Sequence, residues 1–273
     1  MKKHLILFTI LILTANEIFA GFPVGKGRSV LSVAYNYYHS TSNFDINGKR
    51  FQNKSGDYFD SHYFSIYAAH GISRKLDIFA AVPYVYQETR NDTTFLKRND
   101  FADCLIGFSY THMNKSFNKY TSFKLAGIWP LYKGDKPIAI SYGATGVDFT
   151  INYTFSPRKM KAKGYFMLEG SYRRYFSPDG PDQFLFDIGR SFTINHYNFI
   201  ICDLLGTYSS SINKSSLINP VLSKDFSYLE TKLTVGRRLS RILTAYISGF
   251  YTPLGRNTGV GIGAVAVAVM KFP

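Results

Sequence analysis

The chain has 273 residues, a formal charge of +14 at pH 7 and 17% aromatic residues, among them 21 Tyr and 24 Phe. Its length allows one or two domains. The aromatic content far exceeds what the core of a soluble enzyme needs, and Tyr suits a surface that is apolar on one side and wet at one end.

The first twenty residues have the pattern of an export signal. Lys2 and Lys3 form a positive end, Leu5–Leu13 an apolar core, and Ile18–Ala20 precedes Gly21 as a signal-peptidase site would. The apolar run is shorter than the ~20 residues of a spanning helix. We therefore predict a signal peptide at residues 1–20 and one mature domain at residues 21–273.

Polar and apolar residues alternate along most of the mature chain, which predicts strands. About ten residues suffice for a tilted strand to cross a bilayer, and twelve segments have at least that length. They are Arg28–Tyr38, Tyr58–His70, Leu76–Gln87, Phe101–Met113, Thr121–Tyr132, Gly143–Phe155, Gly164–Tyr175, Phe184–Ile194, Tyr197–Tyr208, Phe226–Arg238, Ile242–Thr252 and Gly259–Pro273. Tyr197–Tyr208 is ambiguous because both of its faces are largely apolar, and Pro83 predicts a bulge.

The connections between these segments alternate in length. Short turns follow the even-numbered segments, whereas long polar stretches at 39–57, 88–100 and 209–225 follow odd-numbered ones. Outer-membrane barrels have short periplasmic turns, long outer loops and an even strand count. We predict an all-β fold, a closed antiparallel transmembrane β-barrel of about 12 strands in a Gram-negative outer membrane. Its expected partners are outer-membrane lipids and, during insertion, the barrel-assembly machinery.

Charged residues within the strands predict which face lines the lumen. A charge on the lipid face costs roughly 2–4 kcal/mol at mid-bilayer, so these side chains should point inward. The lumen-lining candidates are Asp77, Asp103, Lys124, Asp148, Glu169, Arg173, Asp187, Glu230 and Lys232. They form either a conduit for small polar or amphipathic solutes or a salt-bridged filling that passes little.

Most of the remaining basic residues fall near the predicted strand ends. Two basic rims around an apolar belt suit lipid phosphates, whereas nucleic-acid binding conflicts with the export signal and this ring-like distribution. Cys104 and Cys202 lie inside strand-like segments, and we expect small apolar side chains rather than a disulfide.

No catalytic motif is present, so we expect no enzyme, cofactor or metal site. The five histidines of the mature chain, which we expect at interfaces or in loops, lack metal-site spacing. They are His39, His62, His70, His112 and His196. The enzyme alternative is an outer-membrane phospholipase, for which His39, Ser40 and nearby Asn43 are the candidates.

Gly71–Gln87, GISRKLDIFAAVPYVYQ, resembles a hairpin of the outer-membrane barrels known as MetA-pathway of phenol degradation proteins. Gly127–Pro130 and Gly143–Tyr153 resemble two later elements of that family, although Arg98–Asp103 lacks the glycines usual before its fourth strand. The resemblance implies a channel or transporter for small, aromatic or hydrophobic molecules. The alternative is a plugged barrel whose outer loops bind a partner.

Overall fold

The structure is a computed structural model that describes residues 22–92, 94–132, 140–157, 164–178, 180–212 and 224–273. The predicted signal peptide lies outside these residues. None of the residues described belongs to a helix long and apolar enough to span a membrane. The strands are β1 (Ser29–Ser40), β2 (Ser42–Phe44), β3 (Arg50–Gln52), β4 (Tyr58–Gly71), β5 (Leu76–Asn91), β6 (Thr94–Phe101), β7 (Asp103–Met113), β8 (Lys119–Pro130), β9 (Gly146–Phe155), β10 (Phe166–Tyr175), β11 (Asp182–Thr193), β12 (Asn198–Ser210), β13 (Phe226–Arg238), β14 (Leu243–Arg256), β15 (Thr258–Gly259) and β16 (Ile262–Phe272).

Antiparallel pairing closes these strands into a barrel. Each long strand pairs with its neighbours along the chain, and β1 also pairs with β16, from Ser29 opposite Phe272 to His39 opposite Ile262. Because β6 and β7 form one interrupted strand, the ring has twelve strands, as predicted. The ambiguous segment is an ordinary member, β12, paired with β11 and β13 throughout.

The irregularity expected at Pro83 lies on the neighbouring strand. The pairing of β5 shifts by one residue where β6 gives way to β7. The N–H of Ala102 donates to the carbonyl oxygen of Pro83 at 3.1 Å, a bond that does not need the missing proline N–H. The loop predicted at 88–100 is instead a hairpin of β5 and β6, in which Asn91 pairs with Thr94.

Alternate side chains of the ring face outward and inward. The outward set is apolar and exposed, as in Phe64, Ile66, Ile106, Phe108 and Leu125. The inward set is buried and contains most of the polar residues of the strands. This division is what a barrel needs when lipid covers its outside and its lumen is polar.

Both cysteines are free thiols. Cys104 lies on β7 and Cys202 on β12, which are five places apart in the sheet. The two thiols are therefore not bonded to each other in this structure.

Trp129, the only tryptophan of the chain, provides a test of the barrel's orientation. Its side chain projects outward near the loop end of β8 and is 52% exposed. We expect its fluorescence to be quenched strongly by lipids brominated close to the headgroup and weakly by aqueous acrylamide. Strong acrylamide quenching with no effect of brominated lipid would contradict the lipid-facing assignment.

Candidate functional site

All nine charged candidates lie on the inward face of the ring. Asp77 lies on β5, and the other eight lie on β7, β8, β9, β10, β11 and β13, with none on β12. Their placement divides the lumen wall into two unlike parts, one of which carries most of the charge.

The charged wall is built around two ion pairs on β8, β9 and β10. Arg173 Nε donates to Asp148 Oδ2 at 2.8 Å, and Lys124 Nζ lies 3.1 Å from Glu169 Oε2. Asn152 Nδ2 donates to the same oxygen of Glu169, at 3.1 Å. Each side chain is therefore held by at least one partner of opposite charge or by a hydrogen bond, which fixes a polar surface inside the barrel.

The charged wall continues on β11, β12 and β13. Lys232 Nζ lies 3.4 Å from Asp203 Oδ2, and both side chains are buried. Asp187 and Glu230 are buried beside them. Asp203 was not among the sequence candidates because its segment shows no clear alternation, so only the pairing of β12 reveals its inward position.

The opposite wall carries most of the aromatic and valine side chains of the lumen, set between buried polar residues such as Ser32, Asn36 and Ser65. One cluster joins Tyr38, Phe59 and Phe250 to the valines of β16, and another joins Phe79 and Leu105 to residues of β8 and β10. The second cluster includes Tyr175, so it reaches across the lumen. A lumen that is rich in aromatic side chains on one side and charged on the other can contact both parts of an amphipathic molecule.

Residues 140–142, in the connection that follows β8, fold into the lumen from the loop end. Ser141 Oγ donates to Asp103, and the rings of Tyr142 and Tyr175 are 4.7 Å apart, edge to face. Ile140 is fully buried in a cluster of side chains from β4 and β5. Burial raises the pKa of the Tyr142 phenol, and its hydroxyl oxygen accepts a hydrogen bond from Gln183 Nε2 at 3.2 Å. The loop therefore narrows this end of the passage.

The segment before β1 occupies the other end of the lumen. Val24 N–H donates to Asp77 Oδ2 at 3.0 Å, and the Val24 side chain packs against both apolar clusters. Phe22 lies edge to face with Tyr120 and Tyr165, with ring centroids 4.7 and 5.8 Å apart. Because β10, which follows Tyr165, stands opposite β1 in the ring, this segment crosses the mouth at the short-turn end.

Close backbone approach supports that crossing. An added Cβ at Gly71 would lie 1.9 Å from the carbonyl oxygen of Gly25, so only glycine lets the segment run beside the end of β4. Gly27 N–H also donates to Gly71 O at 2.8 Å. No feature of the sequence predicted this contact, because it joins an irregular segment to a strand end.

The residues named for the phospholipase alternative do not converge. His39 projects from the outer face of β1, where its Nδ1 lies 2.6 Å from Asp60 Oδ1. Ser40 is buried on the inner face and donates to Ser42 O at 2.7 Å. Adjacent residues of a strand face opposite ways, so this histidine and this serine cannot form a dyad here. Within the described residues, no three His, Cys, Asp or Glu side chains are grouped as metal ligands.

Comparison with solved structures shows the fold to be that of outer-membrane barrels. The COG4313 outer membrane channel from Pseudomonas putida F1 superposes with a TM-score of 0.75 at 11% identity, covering 92% of this chain and 98% of that one. The NanC porin has a TM-score of 0.54 at 11% identity, with 89% and 99% covered. The translocator domain of the autotransporter NalP from Neisseria meningitidis has a TM-score of 0.52 at 8% identity, with 90% and 88% covered.

No protein-family profile and no curated protein matches the chain. The resemblance of Gly71–Gln87 to the phenol-degradation family therefore stays a prediction. The closed barrel and its structural relatives assign the chain to the outer membrane.

Proposed function

We propose that the protein is a gated outer-membrane channel for small amphipathic solutes. The observation that carries this proposal is the two-sided lumen, in which an aromatic and apolar wall faces a wall of paired charges. A solute with a ring or short apolar part can contact the first wall while its polar group contacts the second. The resemblance to the phenol-degradation family and the fold of an outer membrane channel support the same class.

The ends of the lumen supply the gating part of the proposal. The segment from Phe22 to Val24 crosses one mouth, and the loop around Ser141 narrows the other. Hydrogen bonds and small apolar contacts hold both, and such contacts can be exchanged for a solute without unfolding a strand. Passage then requires displacement of these two segments.

Ion selectivity tests whether the charged wall lines the passage. Six of the nine candidates are acidic and three are basic, so we expect a preference for cations. Glu169→Gln should weaken this preference and Lys124→Gln should strengthen it, because each change removes one member of the same ion pair. Reversal potentials of the refolded protein in a planar bilayer under a KCl gradient measure both shifts.

Asp182→Asn is the control for selectivity, since this carboxylate lies on the outer face of β11 beside Arg174. It should leave the reversal potential unchanged. Equal selectivity in the wild type and in both lumen variants would count against a passage along the charged wall.

A plugged barrel that binds a partner through its outer surface is the second candidate. It is favoured by a polar network outside the barrel near the loop end, where Tyr86 donates to Glu88 and Lys97 pairs with it at 3.1 Å. His39 and Asp60 extend this network on β1 and β4. A folded barrel that conducts nothing, even after its mouth is opened, would favour this candidate.

A further inference from the structure

A shallow apolar groove crosses the lipid-facing side of the barrel near its loop end, with a volume of about 810 Å³. Its lower row consists of residues that pair across successive strands from β9 to β14: Ile151, Gly170, Phe186, Gly206, Leu229 and Leu254. The groove therefore spans six strands, with a register shift of the β13–β14 pairing between Leu229 and Thr231 at its edge, and it belongs to the outside of the barrel rather than to the lumen.

Two glycines create the depression. An added Cβ at Gly170 would meet nothing within 4 Å, so the surface there is bare backbone. At Gly206 the neighbouring Phe186 ring lies over the backbone, only 2.1 Å from where a Cβ would stand. Exposed Phe149, Phe184 and Leu254 form the raised edges.

Two arginines stand at the loop end of this groove. Tyr172 in the groove wall donates to Asp182 Oδ1 at 2.7 Å, and Arg174 Nη1 reaches the same oxygen at 3.4 Å. Arg256 lies over the ring of Tyr208, another wall residue, with its Cζ 6.0 Å from the ring centroid. Among the described residues named here, two guanidinium groups stand near one carboxylate, which favours a negatively charged group at this end.

We propose that the groove binds an anionic lipid of the outer leaflet. One acyl chain lies along the bare backbone at Gly170, and the negative headgroup meets Arg174 and Arg256. This proposal goes beyond the channel function and does not depend on it.

The chemistry of the groove favours this occupant. The surface faces the bilayer, where acyl chains are the surrounding apolar material, and an acyl chain fits an open apolar groove with bare backbone at its base. Arginine is the side chain best suited to hydrogen-bond a phosphate through two N–H groups. A zwitterionic lipid would fill the groove equally well, but its headgroup would be attracted less strongly to the two arginines.

Fluorescence quenching by brominated lipids tests the proposal. In a Trp129→Phe background, Phe184→Trp places a reporter in the groove and Phe108→Trp places one on the lipid face of β7, which is outside it. The protein is refolded into vesicles that contain either dibrominated phosphatidylglycerol or dibrominated phosphatidylcholine at the same mole fraction. We expect stronger quenching by the anionic lipid at the groove reporter and equal quenching at the β7 reporter.

Two further variants separate the contribution of the arginine charge to lipid binding from that of the apolar groove. Arg174→Gln with Arg256→Gln should abolish the preference for the anionic lipid. Gly170→Leu should fill the groove and reduce quenching by both lipids, whereas Gly249→Leu, at a lipid-facing glycine with equally open space, should not. Equal quenching by the two lipids in the groove, or a preference that survives the double arginine change, would overturn the proposal. Heat-modifiable gel mobility confirms that each variant is folded.

Discussion

Arg173→Met is expected to destabilise the folded barrel by about 3–5 kcal/mol, the usual effect of removing one partner of a buried ion pair. Arg173 is 2% exposed and bonds to Asp148, which is also buried. Without the guanidinium, the buried carboxylate loses its nearest positive charge, so the free energy of the folded state rises. Urea titration of the protein in lipid vesicles, followed by heat-modifiable mobility, measures the change in the free energy of unfolding.

The neighbouring Arg174 provides a matched control. It lies on the opposite face of β10, is 56% exposed and pairs with Asp182 at 3.4 Å. Arg174→Met should cost less than about 1 kcal/mol, as exposed pairs do. Adding Asp148→Asn to Arg173→Met should recover most of the lost stability, because the unpaired charge is removed. A small effect of Arg173→Met alone would mean that the pair is solvated.

Asp77→Ala is expected to raise the conductance of the channel several-fold. Asp77 accepts a hydrogen bond from the backbone N–H of Val24 and so holds the segment that crosses the short-turn mouth. Without this acceptor the segment loses its attachment to β5, and the mouth opens more often. Single-channel recording in a planar bilayer measures the change in open probability and step size.

Two other variants test this prediction further, one as a control and one with the same expected effect. Glu88→Ala removes a carboxylate from the outer face of the same strand and should leave the conductance unchanged. Gly71→Ala should act like Asp77→Ala, since its Cβ would displace the backbone of Gly25. If both Asp77→Ala and Gly71→Ala fold but conduct as the wild type does, the segment is not a gate.

The barrel was predictable because its signals are local and repeated. Alternation along each segment gives the strands, and the parity of short turns and long loops gives the topology. The inward direction of the charged residues followed from the cost of placing charges in lipid. The hairpin of β5 and β6 was missed because the polar residues 88–100 resemble a loop, whereas cross-strand pairs such as Glu88 with Lys97 hold them as strands.

The site was less predictable because it depends on contacts across the lumen. The sequence does not show that Tyr175 reaches the residues of β5 and β7, or that Phe22 rests on Tyr120. The inward position of Asp203 does not follow from alternation, because both faces of its segment are largely apolar. Each of these contacts joins residues far apart in the chain, and alternation along one strand carries no information about them.

Uptake into proteoliposomes tests the proposed function most directly, with benzyltrimethylammonium and benzenesulfonate as the two solutes. Both have one ring and a permanent charge, so they cross lipid slowly and differ mainly in sign. We predict faster uptake of the cation, because its ring can contact the aromatic wall and its positive charge is attracted by the excess of carboxylates on the charged wall. Uptake should be faster still through the Asp77→Ala variant. No uptake of either solute by folded wild-type protein and folded Asp77→Ala would contradict the channel and favour the plugged barrel.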